Sequence, residues 1–367
     1  MYGNHMKVLV LWTKPSGYFF SQLSALKSLG HEVHLIMEDI SPDAPFERDK
    51  MTLGIKTIQR SDNLSNSAIS QFIDELEPAM ILICSWHIRH YMRAIKKKNC
   101  TRILCMDNQW RRSPKQVVGV ILRNFLIKPY FDGVILPGER QEKFAKLLGF
   151  NDLQIVRGGY SCDITKFEVI RPSLSNRTFL YVGRLSKEKD LITLISAYSL
   201  YRDLVNEPWS LKIVGAGPER IFLEGLACAG IEFEDFVQPP ELPNIYGSAS
   251  CFVLPSNFEP WGVVIHEAVA SGLPVICTDI CGASDEFVED GKNGYLYKHR
   301  DIGSLVKHML TLHNISISEW QSMSALSRTL SRKITPDSWA RNLLDVKASG
   351  ENYRSRKLKL ETDRTVL

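Results

Sequence analysis

The feature that most restricts the fold is a rhythm. Short runs rich in β-branched and apolar residues alternate with segments carrying apolar residues at helical spacing, and they do so twice. Strands alternating with helical patterns at this spacing predict βαβ units and a parallel sheet covered on both faces. In the first series Lys7–Trp12, Glu32–Met37, Ala79–Cys84, Arg102–Met106 and Gly133–Leu136 read as strands. Helices are expected at Gly17–Leu29, where Phe19, Leu23 and Leu26 share a face, and near 64–76, 88–98 and 114–126. The rhythm pauses at 157–177, a stretch with two glycines, a proline and many polar residues, which reads as a linker. A second series follows: Thr178–Val182, Leu211–Val214, Phe233–Val237, Cys251–Leu254 and Pro274–Cys277 as strands, with helices opening near Lys187, Gly217, Glu241 and Gly262. The expected organisation is α/β, two tandem Rossmann-like doubly wound sheets: a domain over 1–160, a linker over 161–177, a second domain over 178–349 and a charged tail over 350–367. In such sheets ligands bind beyond the carboxyl ends of the strands, and the cleft between two facing sheets is the expected site.

The 367 residues suffice for two cores, and 44% hydrophobic against 23% charged residues is the balance of a folded protein. No apolar run of 18 residues exists to span a bilayer, and residues 1–6 lack the charged and apolar regions of a signal peptide. Met6 reads as a native start. The eight cysteines include no CxxC pair, so reduced, buried thiols in a cytoplasmic protein are expected rather than zinc ligands. The net charge of +4 is uneven: residues 1–160 hold 22 Lys and Arg against 15 Asp and Glu, and the remainder hold 23 against 26. A basic first half suits an anionic partner such as a membrane surface or a phosphorylated lipid, while the modest net charge and the lack of a recognised motif count against a nucleic acid. No GxGxxG follows Lys7–Trp12, which counts against a nicotinamide dehydrogenase.

The stretch Leu254–Asp279, LPSNFEPWGVVIHEAVASGLPVICTD, carries the most chemistry. A strand ends at Leu254, a helix opens near Gly262, and Gly272 closes it. A helix amino terminus favours phosphate, and a glycine there lets a ligand approach the backbone. Glu259 and Glu267 are eight residues apart, at most roughly 12 Å of helix rise. One carboxylate could hold sugar hydroxyls and the other ribose hydroxyls, with a diphosphate between them. Arg184 and Lys189, after the strand Thr178–Val182, are placed to neutralise a diphosphate leaving group. Val214-Gly215-Ala216-Gly217-Pro218 is a tight turn between strand and helix.

GRLSKEK (183–189), VGAGP (214–218), the E-x7-E pair Glu259 and Glu267, and the following Gly272-Leu273-Pro274-Val275 occur in that order. Together they resemble the donor domain of the family-four retaining glycosyltransferases, the glycosyl transferases group 1, of GT-B fold. The resemblance is strong over about 179–297 and weaker over 7–156. It implies that Gly17, Gly183, Arg184, Lys189 and Gly215 line the nucleotide-sugar diphosphate, and that Glu259 contacts the donor sugar. It further implies that the backbone of Trp261, Gly262 and Val263 touches phosphate or sugar, that Glu267 binds the ribose, and that the base lies near Val237 and Gln238. UDP-sugars are the expected donors, GDP-sugars next, with no metal or other cofactor. Transfer would retain the anomeric configuration by same-face attack, moving a hexose or N-acetylhexosamine to a glycan acceptor, lipid-linked, in bacterial surface-polysaccharide assembly.

On the acceptor side, relatives often have two glycines after the first strand, where this chain has Thr13-Lys14-Pro15-Ser16-Gly17-Tyr18 with one. Asp107, after the strand Ile103–Met106, and His87 are the candidates to face the reacting sugar. Arg111, Arg112, Lys115, Arg123 and Lys128 surround the apolar stretch Val117–Ile127 and form a basic amphipathic patch suited to an anionic membrane, with Trp110 and Tyr130 as possible interfacial aromatics. The expected location is the cytoplasmic face of the cell membrane. An inactive nucleotide-sugar-binding subunit of a glycosyltransferase complex and a GT-B sugar-nucleotide epimerase are the competing readings.

Overall fold

The computed structural model describes residues 5–13, 17–37, 55–60, 65–96 and 98–346. Within these, the chain divides into two compact units. The first holds the described residues up to 161 together with 336–346, and the second holds 162–335. Each is built on one wholly parallel sheet.

The first sheet contains β1 (Lys7–Trp12), β2 (Glu32–Met37), β3 (Thr57–Arg60), β4 (Met80–Ile83), β5 (Thr101–Cys105), β6 (Gly133–Ile135) and β7 (Ile155–Val156) in the order 3-2-1-4-5-6-7. The second contains β8 (Thr178–Val182), β9 (Ser210–Val214), β10 (Ile231–Glu234), β11 (Cys251–Leu254), β12 (Val275–Thr278) and β13 (Gly294–Tyr297) in the order 10-9-8-11-12-13. The strand order reverses between β1 and β4 in one sheet and between β8 and β11 in the other, and at such a switch point the loops leave a crevice beyond the strand ends. Strands β1, β4, β5, β8, β11 and β12 are buried almost throughout, as parallel strands covered on both faces must be. The short strands β3, β7 and β13 escape the sequence reading because each lies at or next to a sheet edge and carries a weak apolar pattern.

Two expected boundaries are corrected. Residues 336–346 are helical and belong to the first unit, not to a domain ending at 349. Trp339, Ala340, Leu343 and Val346 recur at helical spacing and bury themselves in the same apolar cluster as Val8, Val10 and Phe19. Of the expected linker over 161–177, residues 162–177 are packed into the second unit. Helix Ile164–Glu168 buries Phe167, whose ring meets Tyr246 at 5.6 Å. The Arg328 guanidinium donates to the carbonyls of Glu168, Ile170, Ala270 and Ser271, tying this segment to the end of helix Val263–Ser271.

None of the eight cysteines forms a disulfide, and six of them are buried. Among the described residues no helix is long and apolar enough to cross a membrane.

His266 has no solvent exposure. Its Nδ1 accepts from the Cys162 amide at 3.1 Å, its Nε2 donates to the Ser331 carbonyl at 2.8 Å, and its ring stacks on Phe287 at 4.2 Å. Both nitrogens are thus used by the neutral ring, and burial pushes its pKa down to about 4. Between that value and the ordinary histidine range of about 6.5 the unfolded chain binds a proton that the folded chain does not. This contribution to stability is therefore complete above about pH 6.5 and falls away toward pH 4, by ~3 kcal/mol. Urea titrations should show His266→Gln less stable than wild type at pH 7 and losing less between pH 7 and pH 4. Parallel pH profiles would contradict this role for the ring.

Candidate active site

The switch point of the second sheet gathers the residues singled out from the sequence. The loop after β8 carries Arg184 and Lys189, and the loop after β11 carries Glu259, Trp261 and Gly262. β8 and β11 are neighbours in the sheet, with Phe179 beside Cys251 and Leu180 beside Phe252, so the two loops emerge side by side. The backbone locks them together. The Glu188 carbonyl accepts from the amides of Asn257 at 2.9 Å and Phe258 at 3.3 Å, and the Lys187 carbonyl accepts from the Asn257 side chain at 3.3 Å. The Lys189 ammonium donates to the Glu259 carboxylate, and both side chains are mostly buried. Arg184 stands half exposed, with Glu188 4.0 Å away.

The far side of the β11 loop is held by residues after β12. The amide of Gly282 donates to the Glu259 carbonyl at 3.2 Å and that of Ala283 to the Trp261 carbonyl at 2.8 Å. The Thr278 hydroxyl donates to the Ser256 carbonyl at 2.7 Å. The indole N–H of Trp261 and the hydroxyl of Ser256 are buried there without a hydrogen-bond partner among the described residues.

Gly262 has φ of 96°, the left-handed conformation that glycine adopts without penalty, and helix Val263–Ser271 starts at the next residue with no side chain capping it. An uncapped helix start presents backbone N–H groups and the positive end of the helix dipole beside Glu259. Along this helix the Glu267 carboxylate accepts from the Tyr246 hydroxyl at 2.8 Å. Burial raises the Glu267 pKa to about 7, with the Tyr246 bond opposing the rise. Burial and the nearby Glu267 carboxyl hold the Tyr246 phenol well above its ordinary value. Tyr246 has no signature in the sequence. It is found only once helix Leu242–Gly247 is seen beside helix Val263–Ser271.

The glycines of the turn after β9 have another explanation. A Cβ on Gly215 would lie 1.9 Å from the Gly183 carbonyl oxygen, and one on Gly217 would lie 2.3 Å from that of Leu185. Leu185 also donates to Ala216 at 2.8 Å and accepts from Glu219 at 3.1 Å. Gly215 therefore answers to close backbone packing, whatever else it touches. Val237 and Gln238 lie half-buried in the loop after β10, which ends at Glu234 and not at Val237.

In the first unit, Gly17 opens helix Gly17–Ser28, while Lys14, Pro15 and Ser16 lie outside the described residues. His87 follows β4, its ring 3.8 Å from that of Trp86. Partial desolvation, then the charge of Lys115, lowers its pKa. Asp107 follows β5 and adds to the burial that holds the Tyr160 phenol well above its ordinary value. Arg111, Arg112, Lys115 and Lys128 are exposed, whereas Arg123 turns back to donate to the Val120 carbonyl at 3.0 Å. Trp110 and Tyr130 are half-buried and pack against the core, with Trp110 stacked 5.5 Å from Phe144.

The sequence profile of the family described as "Glycosyl transferases group 1" matches residues 164–323. This stretch is a glycosyl transferases group 1 domain. An uncharacterized glycosyltransferase of Haemophilus influenzae is 32% identical over 163 residues, which are 43% of this chain and 45% of that protein. The alpha-monoglucosyldiacylglycerol synthase of Acholeplasma laidlawii is 33% identical over 137 residues, 36% of this chain and 33% of that protein. The alignments thus span less than half of these relatives. The fold extends further. A glycosyltransferase crystal structure from Rickettsia africae has a TM-score of 0.75 at 14% identity, covering 95% of this chain and 99% of that one. The Anabaena protein HepE in complex with UDP and glucose has a TM-score of 0.74 at 16% identity, covering 94% and 100%. The GT-B fold expected from the sequence is the fold of this chain.

Gly215→Ala should destabilise the second unit by about 2–4 kcal/mol, because the methyl meets backbone that cannot give way. Gly225→Ala, at a helical position with open space around it, should be neutral or stabilise by up to about 1 kcal/mol. Equal melting temperatures for the two variants would remove the packing explanation.

Proposed function

We propose that the chain is a retaining, metal-independent glycosyltransferase. It takes a hexose or N-acetylhexosamine from a nucleotide diphosphate sugar, a UDP-sugar before a GDP-sugar, and places it on a lipid-linked glycan acceptor. The observation that carries this reading is the junction at the β8–β11 switch point. It brings together one buried ion pair, an uncapped helix start behind a left-handed glycine, and a second carboxyl further along the same helix. The uncapped start suits a diphosphate, and Lys189 with the half-exposed Arg184 supplies the cations for the charge that grows on it as the sugar leaves. These groups provide the positive charge that a metal would otherwise bring. In the unliganded protein Glu259 holds Lys189. With donor bound, the ammonium turns to the diphosphate and Glu259 accepts from sugar hydroxyls. Glu267 accepts from the ribose hydroxyls, and the Tyr246 bond fixes the carboxyl for that task. Same-face attack, with the departing phosphate taking the acceptor's proton, retains configuration. On the acceptor side Asp107 and His87 follow neighbouring strands β4 and β5 and are the candidates to meet the incoming hydroxyl. The name of the Acholeplasma relative, a glucosyldiacylglycerol synthase, supports an acceptor with a lipid part; bacterial surface-polysaccharide assembly at the cytoplasmic face of the membrane is the setting we propose.

Binding of ribose to the Glu267 carboxylate requires its proton to leave. With a pKa of about 7 in the free protein, affinity for UDP-glucose should be constant above pH 7 and fall up to tenfold per unit below it. UDP-glucose is the right probe because its diphosphate diester does not titrate in this range. Glu267→Gln should bind more weakly and lose the pH dependence. A pH-independent wild type would remove Glu267 from the nucleotide site. In a panel of UDP- and GDP-sugars with chelator present, Lys189→Ala should lower donor turnover by about 10²–10³. Wild-type turnover in that variant would exclude Lys189 from leaving-group stabilisation.

A further inference from the structure

Residues 108–131 contain five basic and no acidic side chains. They fold as two consecutive short helices, Pro114–Ile121 and Arg123–Leu126. The inward side of this segment is fixed. A Cβ on Gly119 would lie 2.5 Å from the Trp86 ring, and Val120, Leu126 and Ile127 pack on the core of the first unit. The outward side is apolar as well. Val117, Val118, Ile121, Leu122 and Phe125 are all exposed, Ile121 by 69% and Phe125 by 76%. They recur at positions i, i+1, i+4, i+5 and i+8 and so form one stripe rather than scattered single residues. The exposed cations Arg111, Arg112, Lys115 and Lys128 flank the stripe at its two ends.

An apolar stripe pointing to water, flanked by cations with no anion in the segment, matches the boundary of an anionic bilayer. The apolar side chains enter the acyl region while the long basic side chains reach the headgroups. We propose that residues 111–128 are a membrane-docking element that inserts Ile121 and Phe125 into an anionic lipid surface. The sequence suggests a basic amphipathic patch around Val117–Ile127 without saying which apolar side chains face outward. The structure assigns the attachment to the apolar stripe, with the cations selecting the lipid. The segment begins directly beyond β5 and Asp107, and its Lys115 acts on His87, so docking would bring lipid to the acceptor side of the first unit. This last consequence rests on the proposed glycosyl transfer, but the docking itself does not.

The test is flotation of the full chain with vesicles of phosphatidylglycerol and phosphatidylethanolamine, against vesicles of phosphatidylcholine. Wild type should float with the anionic vesicles and stay behind with the neutral ones. Ile121→Ser with Phe125→Ser, both at exposed positions, should reduce partitioning at least tenfold. Arg111→Gln with Arg112→Gln should reduce it less and leave it less sensitive to salt. UDP-glucose affinity, measured on the same samples, should be unchanged in both variants. Unaltered flotation of the serine variant would overturn the insertion. So would a wild type that ignores anionic vesicles and instead forms a dimer that the serine variant lacks, since the stripe would then join copies of this chain. A wild type that floats but binds no nucleotide would leave the docking standing and refute the transferase reading.

Discussion

Everything the second unit presents at the carboxyl edge of its sheet depends on how residues 255–262 are held. These eight residues leave a buried strand and must deliver a helix start, a carboxylate and a glycine to fixed places. They are fastened on one side by the carbonyls of Lys187 and Glu188 and on the other by the amides of Gly282 and Ala283. The Lys189–Glu259 pair closes the arrangement with two charges largely removed from water. A buried charge left without its partner is costly, so each member constrains the other.

The two carboxyls of the helix junction are treated differently. Glu259 faces a cation and Glu267 faces a phenol. Because burial raises the second to about 7, its proton is exchangeable near neutrality. The same helix carries His266 on its buried side, where burial keeps the ring neutral and two backbone groups use both its nitrogens. Adjacent residues of one helix thus serve opposite ends, His266 fastening the helix into the unit and Glu267 facing the phenol of Tyr246.

Much of this was legible in the sequence. The strands Lys7–Trp12, Glu32–Met37, Thr178–Val182 and Cys251–Leu254 fall where their apolar runs fall, because a strand buried on both faces has little freedom of composition. Arg184, Lys189 and Glu259 were recognisable by motif, and the strand order brings their loops together. What stayed hidden involves partners distant along the chain. Trp339 and Val346 show helical spacing, but nothing in that spacing says that they pack beside Val8 rather than in the nearer sheet. Tyr246 is an ordinary aromatic until its hydroxyl is placed on Glu267. The stripe ending in Phe125 was visible as apolar residues, yet which of two apolar faces looks outward is decided by Gly119 against Trp86.

The most direct measurement is calorimetric titration of wild type and Glu267→Ala with UDP in the presence of a chelator. The proposed donor site requires saturable binding of UDP to the wild type and binding at least tenfold weaker in the variant, with the two proteins melting alike when unliganded. Equal affinity in both, or no binding by a folded wild type, would contradict a nucleotide-sugar site at the helix start behind Gly262.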